Sequence, residues 1–522
     1  MNNTVKRVST AAKIIFSNGS NYTIPFTNPH DSQNPDLLNY GTNCKLKQAL
    51  YKANSTNVIG NICGSTLSIE GKSLNKLLIP SNENSQYYSY MNNTAKIEVK
   101  VTGDDNVETN MGVYYVDSWE GTESSDNYDT FNITCVDLMS KIKNIKITKV
   151  RINQQMKFSQ YLKQIIDTLN DSLPVGMKVI YTMSTLEKMD KIYNDNWNMY
   201  YNNINTDSIE NIFNELSQNT LSYVWIDRNN ELQVDTLLDD VNEVITPVCE
   251  LSGSTNLLSY SSEQGDICAY SGIECEFISG ITYKDEQVLD INNIHLSAGN
   301  NTINTQLNSD RVIKVNLIEI TPEDASVKCS VTGFLNFRNY IEINVKSLGE
   351  TNVSIKVYGK LINESYDTLT KYKSDNDKNS LLSIKNHVLR SEDIPTYVDN
   401  FLRLISMKNS SLQVEGWINP QVKLSNMIEM TGTRLGISNY YKVIELEFNL
   451  VTNYRCRASL MKTIDAIEAI ETLLTDDHNE CLNILNGTID EQYDFFSPTT
   501  QAQVTAIDNY VGNEIDSLYA FL

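Results

Sequence analysis

Short segments in which apolar and polar residues alternate constrain the fold of this chain more than any other feature. In 97–101, Ile and Val alternate with Glu and Lys; in 444–450, Ile, Leu, Phe and Leu alternate with Glu and Asn. A period of two places the apolar side chains on one face of a β-strand. The chain is therefore predicted to be mainly β. Further strand signals occur at 112–119, 130–136, 312–317, 327–331, 340–345 and 353–358.

The strand that follows 444–450 carries a charge pattern of its own. Arg455 and Arg457 share its polar face, and Glu445 and Glu447 share the polar face of the strand before it. Side chains that lie opposite each other on neighbouring antiparallel strands interact directly. We therefore expect these arginines to pair with these glutamates.

The apolar period changes to 3.6 residues in the middle of the chain. A second helix is predicted to open at Asp207, with Glu210 three residues on as in a capping box. Residues 221–234 then indicate a hairpin around the turn 227–230. Together these patterns predict a compact α/β unit. The first helix of this unit, which ends before Pro174, has an apolar stripe of Phe158, Tyr161, Leu162, Ile165, Ile166 and Leu169.

Net charge argues against nucleic-acid recognition. The chain has 42 basic and 65 acidic residues, which gives a formal net charge of −23. Affinity for a phosphate backbone comes mainly from Lys and Arg that displace counterions, so specific DNA or RNA binding is not expected. An acidic total suits a conduit through which DNA slides, and it is equally found in ordinary soluble proteins.

Cysteine usage and hydropathy indicate a chain made in the cytoplasm. The nine cysteines are dispersed and include no C-x-x-C pair, which is typical of reduced thiols and not of a secreted disulfide framework. The apolar run 11–16 is interrupted by Lys13, and no later segment reaches the roughly 18 apolar residues of a membrane span. We therefore expect neither a signal peptide nor a membrane span.

Patterns that carry catalysis or metal binding are sparse. The four histidines, at 30, 295, 387 and 478, form no H-x-x-H pair or Cys/His cluster. The segment 375–386 begins like a calcium loop but has Ser at its sixth position and Asn at its twelfth. Acidic pairs such as Asp104-Asp105 and Asp476-Asp477 leave a glycosidase open. Because phosphate-binding and nucleophile-elbow motifs are also missing, we expect no catalytic residue, no cofactor and no metal ligand.

Two stretches resemble the tail hub, or tail-tip, proteins of phages and related contractile machines. The first is 112–120 followed by 130–138, which is similar to the family's strand with an aromatic and acidic bend and its next strand ending in Asp-Leu. The second is the helix from Ser208 that runs into 221–232, similar to the family's helix followed by a hairpin with an Asp-rich turn.

A third stretch resembles the closing barrel of the same family. It consists of 384–393, the segment 414–417 and the strands at 443–460. One departure concerns the family's usual Gly-Asp before the next strand, which is Ser425-Asn426 here. The three stretches together cover roughly residues 60–460 as loose patterns.

The resemblance implies an α+β, mainly β, multidomain protein with two tube-like β-barrels. A chain of 522 residues is too long for one hydrophobic core, since domains rarely exceed about 250 residues. The expected regions are a first β-barrel (hub) domain at 1–155, an α/β domain at 156–250, a connecting β segment at 251–310, an inserted β domain at 311–384, a second β-barrel domain at 385–465 and a helical C-terminal extension at 466–522.

The resemblance also implies a structural, non-enzymatic role in a virion tail that is assembled in the bacterial host cytoplasm. In such hubs three subunits form a ring that closes the hexameric tail tube and through which DNA is ejected. The expected partners are a homotrimer of the chain itself, tail tube or distal tail proteins, and receptor-binding or fibre proteins. Two alternatives stay open from the residues alone: a surface adhesin or glycan-binding module, and a cell-wall hydrolase.

The end of the chain holds the candidate oligomer contact. Five apolar residues recur there at spacings of three and four, which suits either packing on the chain itself or a short coiled coil between copies. They are Val504, Ile507, Val511, Ile515 and Leu518.

Overall fold

The computed structural model describes most of the chain up to residue 462. The chain divides into two compact units, Met1–Thr463 and Ile464–Leu522, and every described residue lies in the first. The predicted extension 466–522, with its five recurring apolar residues, lies outside the described residues. Those residues are 4–26, 38–52, 60–123, 129–147, 156–192, 195–196, 199, 208–236, 247–263, 270–309, 311–337, 339–373, 380–408, 411–431, 439–451 and 454–462.

The described part of the first strand-rich stretch contains seven strands and one short helix. Strands β1 to β7 are Val8–Ile15, Asn21–Pro25, Asn39–Ala49, Thr66–Ser73, Lys96–Gly103, Glu108–Thr122 and Thr130–Val136, with a 3-10 turn at Tyr88–Tyr90 and helix α1 at Leu138–Ile142. The alternation at 97–101 is confirmed as part of β5, whose Ile97, Val99 and Val101 are fully buried.

A helical region follows, and its predicted hairpin is confirmed. Helices α2, α3 and α4 are Phe158–Ser172, Met183–Leu186 and Ile209–Thr220, with 3-10 turns at Val175–Met177 and Glu187–Asp190 and short strands β8 at Lys191–Ile192 and β9 at Asp195–Asn196. Strands β10 (Ser222–Ile226) and β11 (Leu232–Thr236) pair antiparallel. The predicted start of α4 at Asp207 is corrected, because the hydroxyl of Ser208 caps the helix by accepting the N–H of Asn211 at 3.2 Å.

The remaining elements complete the chain. Strands β12 to β20 are Cys249–Ser252, Leu257–Glu263, Gly272–Leu296, Gly299–Gln306, Val312–Pro322, Cys329–Asn336, Tyr340–Ser347, Thr351–Tyr372 and Leu381–Asn386. Helix α5 is Ile394–Lys408, and strands β21 to β24 are Ser411–Gly416, Met427–Thr431, Asn439–Asn449 and Arg455–Lys462.

One sheet of thirteen strands joins the two stretches that were expected to form separate barrels. Its order is β13-β21-β24-β23-β3-β4-β7-β6-β5-β1-β2, with β22 against β23 and β12 against β22. Within the described residues this order does not return on itself, so the two stretches are open halves of one sheet and no closed barrel forms. The physical reason lies in β23: β24 occupies one edge, and β22 and β3 share the other.

Strands β14 to β20 form a region that projects from this sheet. The long strands β14 and β19 pair antiparallel from Gly272 opposite Tyr372 to Leu296 opposite Thr351, across the expected boundary at residue 310. At the far end, β16, β19 and β14 face a second sheet of β15, β18 and β17 around a shared apolar core. Near the base, β20 pairs parallel with β14, and Lys371 of β19 contacts Asp399 of α5 at 2.6 Å.

Candidate assembly site

The described candidates for chemistry include the acidic pair Asp104-Asp105, whose carboxylates accept backbone hydrogen bonds. Asp104 accepts the backbone N–H of Lys6 at 3.3 Å, which ties the turn after β5 to the segment before β1, and Asp105 accepts the N–H of Val107 at 3.1 Å within that turn. No group of three or more His, Cys, Asp and Glu side chains suited to a metal ion occurs among the described residues. The same part of the chain contains no helix long and apolar enough to cross a membrane.

Two of the histidines and the calcium-like loop can be placed only in part. His295 lies 3.2 Å from Glu350, and His387 lies 2.8 Å from Glu276, both in the projecting region. His30, His478, the start of the segment 375–386 and the pair Asp476-Asp477 lie outside the described residues, as do the apolar residues 504–518. Seven cysteines are described, and all of them are free thiols, as predicted.

The Asp-Leu step that carries part of the family resemblance ends β7 and begins α1. Both oxygens of Asp137 accept backbone N–H groups, from Ser65 at 2.6 Å and from Ser140 at 3.0 Å. The neighbouring Gly64 leaves no room for a side chain, because a Cβ there would lie 2.4 Å from Asp137 Oδ1. Burial raises the pKa of the Asp137 carboxyl, and its two N–H donors oppose that shift. Asp137 therefore ties the start of β4 to the start of α1.

The junction of β3 with β23, which we call the seam, holds the two halves of the large sheet together. Five residue pairs form it, from Glu445 opposite Ala49 to Asn449 opposite Lys45. Leu46 and Phe448 are buried on its inner face. Because this pairing connects segments about 400 residues apart in the sequence, it fixes the two strand-rich stretches relative to each other.

Arg228 covers the inner face of the seam. It belongs to the turn between β10 and β11, and only 4% of it is exposed. Its Nε donates to Gln48 of β3 at 3.1 Å, its guanidinium carbon lies 5.3 Å from the ring centre of Phe448 in β23, and its terminal nitrogens donate to two backbone carbonyls. These are the carbonyls of Pro420 and Val422. One buried side chain thus binds the α/β unit to both halves of the sheet.

The hydrogen bonds of Arg228 continue into the first half of the sheet. Gln48 donates from Nε2 to the hydroxyl of Tyr114 at 3.3 Å, and that hydroxyl donates to the carbonyl of Met111 at 2.8 Å. Burial lowers the pKa of the Arg228 guanidinium, which nevertheless stays charged because the pKa of arginine is so high. Buried polar groups that are all partnered in this way make a fold rigid, because losing one leaves others unpaired.

A second buried tie joins the hairpin to β23. Lys442 is 3% exposed, and its Nζ lies 3.2 Å from Asp235 Oδ2 and 3.1 Å from the carbonyl of Thr236. The hydroxyl of Ser425 donates to the same carboxylate oxygen. Ser425, which stands where the resemblance leads one to expect glycine, has a left-handed backbone with φ 65°. This tie and Arg228 together hold the hairpin at two points.

The charged side chains of β23 and β24 form ion pairs with other partners than the predicted ones. Arg455 and Arg457 both lie against Glu415 of β21, at 3.2 and 3.6 Å, and Glu445 pairs with Lys47 across the seam at 2.7 Å. Arg457 does stand directly opposite Glu447 of β23, as the predicted pairing requires. It stands equally opposite Glu415 of β21, because β24 lies between the two strands, and its ion pair is with Glu415. The hydrogen bond to Glu445 raises the pKa of Lys47.

The large sheet is branched, and three of its strands stand at an end. Strand β2 pairs with β1, β13 pairs with β21 and β12 pairs with β22, and the described part of the chain provides no second strand for any of them. Exposed edges of this kind favour pairing with other chains unless they are covered. The end strands of the large sheet are therefore candidate contacts with other subunits.

No family model matches the chain, and no curated protein matches it. Among solved structures it is similar to the tail protein from Neisseria meningitidis MC58 (8% identity, 88% of this chain and 99% of that chain covered, TM-score 0.46). It is also similar to the 43 kDa tail protein of prophage MuSo2 from Shewanella oneidensis (9%, 87% and 98%, 0.46). A third is the E. coli c3393 protein, a component of the type VI secretion system with structural similarity to T4 bacteriophage tail proteins gp27 and gp5 (7%, 83% and 76%, 0.37). These are the kinds of protein that the sequence resembles, and at such identities the likeness concerns the fold alone.

Proposed function

We propose that this chain is a structural hub or tail-tip protein of a phage or phage-like particle. The observation that carries the proposal is the seam, which joins two strand-rich stretches into one sheet of thirteen strands. A subunit built in this way presents two related sheet halves to its neighbours in one fixed orientation. A subunit that contacts the repeating subunits of a tail tube needs such a fixed orientation.

The working form in this proposal is a homotrimeric ring that closes the tail tube. Three subunits with two sheet halves each supply the six units that a hexameric tube requires. Ring closure also provides partners for edge strands such as β2 and β13, which would otherwise favour aggregation. Tail tube or distal tail proteins would bind one side of the ring, and receptor-binding or fibre proteins the other.

The buried ties at the seam support a role in transmitting force. Arg228 and Lys442 link the α/β unit to the sheet by polar contacts in the interior. A hub transmits force between tube and fibre, so its parts must keep their relative positions. The division proposed for such a hub is the one expected from the sequence, with tube-like halves at 1–155 and 385–465, an α/β domain at 156–250, and the extension 466–522 after the second half.

Passage of DNA through the ring would agree with the acidic composition. With a net charge of −23, carboxylates concentrated on the inner wall would weakly repel a passing duplex. Location in a virion tail, after assembly in the host cytoplasm, belongs to the same proposal. A structure of the assembled ring with a net basic channel would rule out this account of the wall.

The C-terminal apolar residues are proposed to add a contact between subunits. Replacing Ile507 and Val511 by Asp would bury unpaired charge in that contact and is expected to loosen the trimer. An assembly of unchanged stability in this double variant would remove the residues Val504, Ile507, Val511, Ile515 and Leu518 from the interface.

Low-resolution imaging of the purified full-length protein tests the proposal. We expect rings with threefold symmetry and a central opening. Monomeric or dimeric particles at high protein concentration would contradict it and favour the adhesin alternative. Cleavage of peptidoglycan or glycan by the pure protein, abolished by changing one carboxylate, would instead favour the cell-wall hydrolase.

A further inference from the structure

The projecting region is joined to the rest of the chain through a narrow ribbon. At its base, β20 pairs with β14 over 272–277, and at its far end β16 pairs with β19 over 353–361. Between these points β14 and β19 pair only with each other in the part of the chain that the structure describes. We call residues 276–283 and 362–368 the stalk. Because a two-stranded ribbon is marginally stable by itself, the stalk is where the projecting region bends most easily.

The parts on either side of the stalk are firmly built. The head, by which we mean the described residues between 284 and 361, has its own apolar core between two sheets. The base is tied to α5, since Lys371 of β19 contacts Asp399 at 2.6 Å. Helix α5 is in turn tied to the α/β unit, because Tyr397 donates to the carbonyl of Gln218 at 3.1 Å. A change in the orientation of the head is therefore concentrated in the stalk.

A β-bulge interrupts the strand pairing within the stalk. The register shifts between Ile278 and Gly280, so that Ser279 is the extra residue of β14. Bulges bend the strand that carries them. The odd-numbered residues of 363–367 are exposed on one face of the ribbon, whereas Ile278 and Ile362 are buried on the other. The stalk is thus covered on one face only.

Five side chains cross the covered face and connect the head with the base. Arg311, in the head just before β16, lies 2.6 Å from Glu364 of the stalk, and the hydroxyl of Tyr366 donates to the same carboxylate oxygen. The ring of Tyr366 contacts the ring of His387 in the base, with their centres 4.7 Å apart. His387 lies 2.8 Å from Glu276 at the start of the stalk. We call these five residues the strap.

We propose that the stalk is a hinge and that the strap holds the head at one angle to the base. Arg311 and His387 lie on opposite sides of the bulge, so bending the ribbon away from its covered face separates Tyr366 from one of its neighbours. Tyr366 is also the accessible link, since 44% of it is exposed while the side chain of Glu364 is fully covered. Opening the strap there frees the head without exposing its apolar core.

Replacing Tyr366 by Ala tests the proposal. Spin labels on Leu348 in the head and Val175 in the α/β unit, which are 69% and 88% exposed, report the angle of the head. Because the chain has nine cysteines, the labels are attached through an introduced ketone-bearing amino acid. The measurement is pulsed electron paramagnetic resonance on full-length protein, with labelled chains diluted in unlabelled ones.

We expect one narrow distance distribution in the labelled chain that is otherwise unchanged. Tyr366→Ala should broaden it at least about twofold, because the head then populates several orientations. Tyr366→Phe should give an intermediate width, since it keeps the ring contact with His387 and loses the hydrogen bond to Glu364. Circular dichroism checks that each variant keeps its fold.

Tyr283 provides a matched control in the same ribbon. It is 45% exposed and stands opposite Ile362, and the ammonium of Lys360 lies 5.3 Å from its ring centre. Tyr283→Ala is expected to leave the distribution narrow. A distribution that is already broad in the unchanged chain, that stays narrow in Tyr366→Ala, or that broadens equally in Tyr283→Ala overturns the proposal. None of these outcomes bears on the hub function, which the hinge does not require.

Discussion

The seam and the stalk, the ribbon of β14 and β19 near residues 276–283 and 362–368, are both built from antiparallel strands. Their surroundings differ. At the seam, Leu46, Gln48 and Phe448 are buried beneath Arg228. In the stalk, Gly280–Tyr283 of β14 pair with Ile362–Ser365 of β19, and of these eight residues Ile362 alone is buried as a whole. The side chain of Glu364 is covered by its ion pair with Arg311 at 2.6 Å. Two-stranded ribbons are marginally stable by themselves. Strand pairing is common to both regions, so we infer that the denser burial at the seam makes it the more stable of the two.

Hydrogen exchange should reveal the largest difference between the two regions. Amides that open locally exchange faster than amides that open only on global unfolding. We expect peptides covering 280–283 and 362–365 to exchange at least about a hundredfold faster than those covering 45–49 and 445–449. Exchange measured by mass spectrometry on the full-length protein decides this. Equal protection of both regions would break the comparison.

Replacing Arg228 by Leu is expected to cause the largest loss of stability among single changes at the seam. It leaves the amide oxygen of Gln48 and two buried carbonyls without their donor, which costs about 3 kcal/mol or more in the free energy of unfolding. The loss of stability for Arg228→Lys should be smaller than for Arg228→Leu but still measurable, because one ammonium cannot span the positions that the guanidinium reaches. Denaturant unfolding measures both. The exposed Arg455→Leu is the control, with an expected loss below about 1 kcal/mol.

Lys442→Met should have a smaller effect. The substitution keeps the packing but leaves the carboxylate of Asp235, which is about a quarter exposed, without its cation. We expect a loss of about 2 kcal/mol in the free energy of unfolding. The double variant with Asp235→Asn should recover part of it, because the unpaired charge is gone. A double variant less stable than Lys442→Met would contradict this assignment.

The smallest effect is expected at the base of the stalk. Hydrogen bonds from Lys385 and His387 lower the pKa of Glu276 below its ordinary value of 4.5. Since the ionised form is favoured in the folded state, the stabilisation is present above that ordinary pKa and is lost as pH falls through the lowered one. More than a third of this side chain is exposed, so solvent screening limits the effect of Glu276→Gln to about 0.5 kcal/mol at neutral pH. Thermal unfolding at neutral and at acidic pH should show the difference disappearing in acid.

Local patterns of the sequence predicted the elements better than their connections. The alternation of apolar and polar residues predicts β5 and most of β23, and the 3.6-residue period predicts α2. Both patterns depend only on residues that are close in the sequence. Arg228 lies in the turn 227–230, and the local sequence predicts no more than a polar hairpin turn there. Its partners Gln48 and Val422 lie 180 and 194 residues away in the sequence, and periodicity carries no information at that distance.

The same limitation explains the two corrected details of the sheet. Glu447 and Arg457 stand opposite each other on neighbouring strands, as predicted. The ion pairs of Arg457 and Glu445 are nevertheless made with β21 and β3, which come from elsewhere in the chain. The expected barrels also became halves of one sheet because β3 occupies an edge of β23. Edge occupancy is a property of the tertiary fold, and a single sequence does not specify it locally.

The mass of the purified full-length protein in solution tests the central claim most directly. If the seam fixes two sheet halves in one subunit of a hub, three subunits complete the ring, and light scattering should give a mass of three chains that persists on dilution. Arg228→Leu should lower that mass at the same concentration, since it loosens the two halves. A wild-type protein that stays monomeric at high concentration, with the seam intact, would contradict the account.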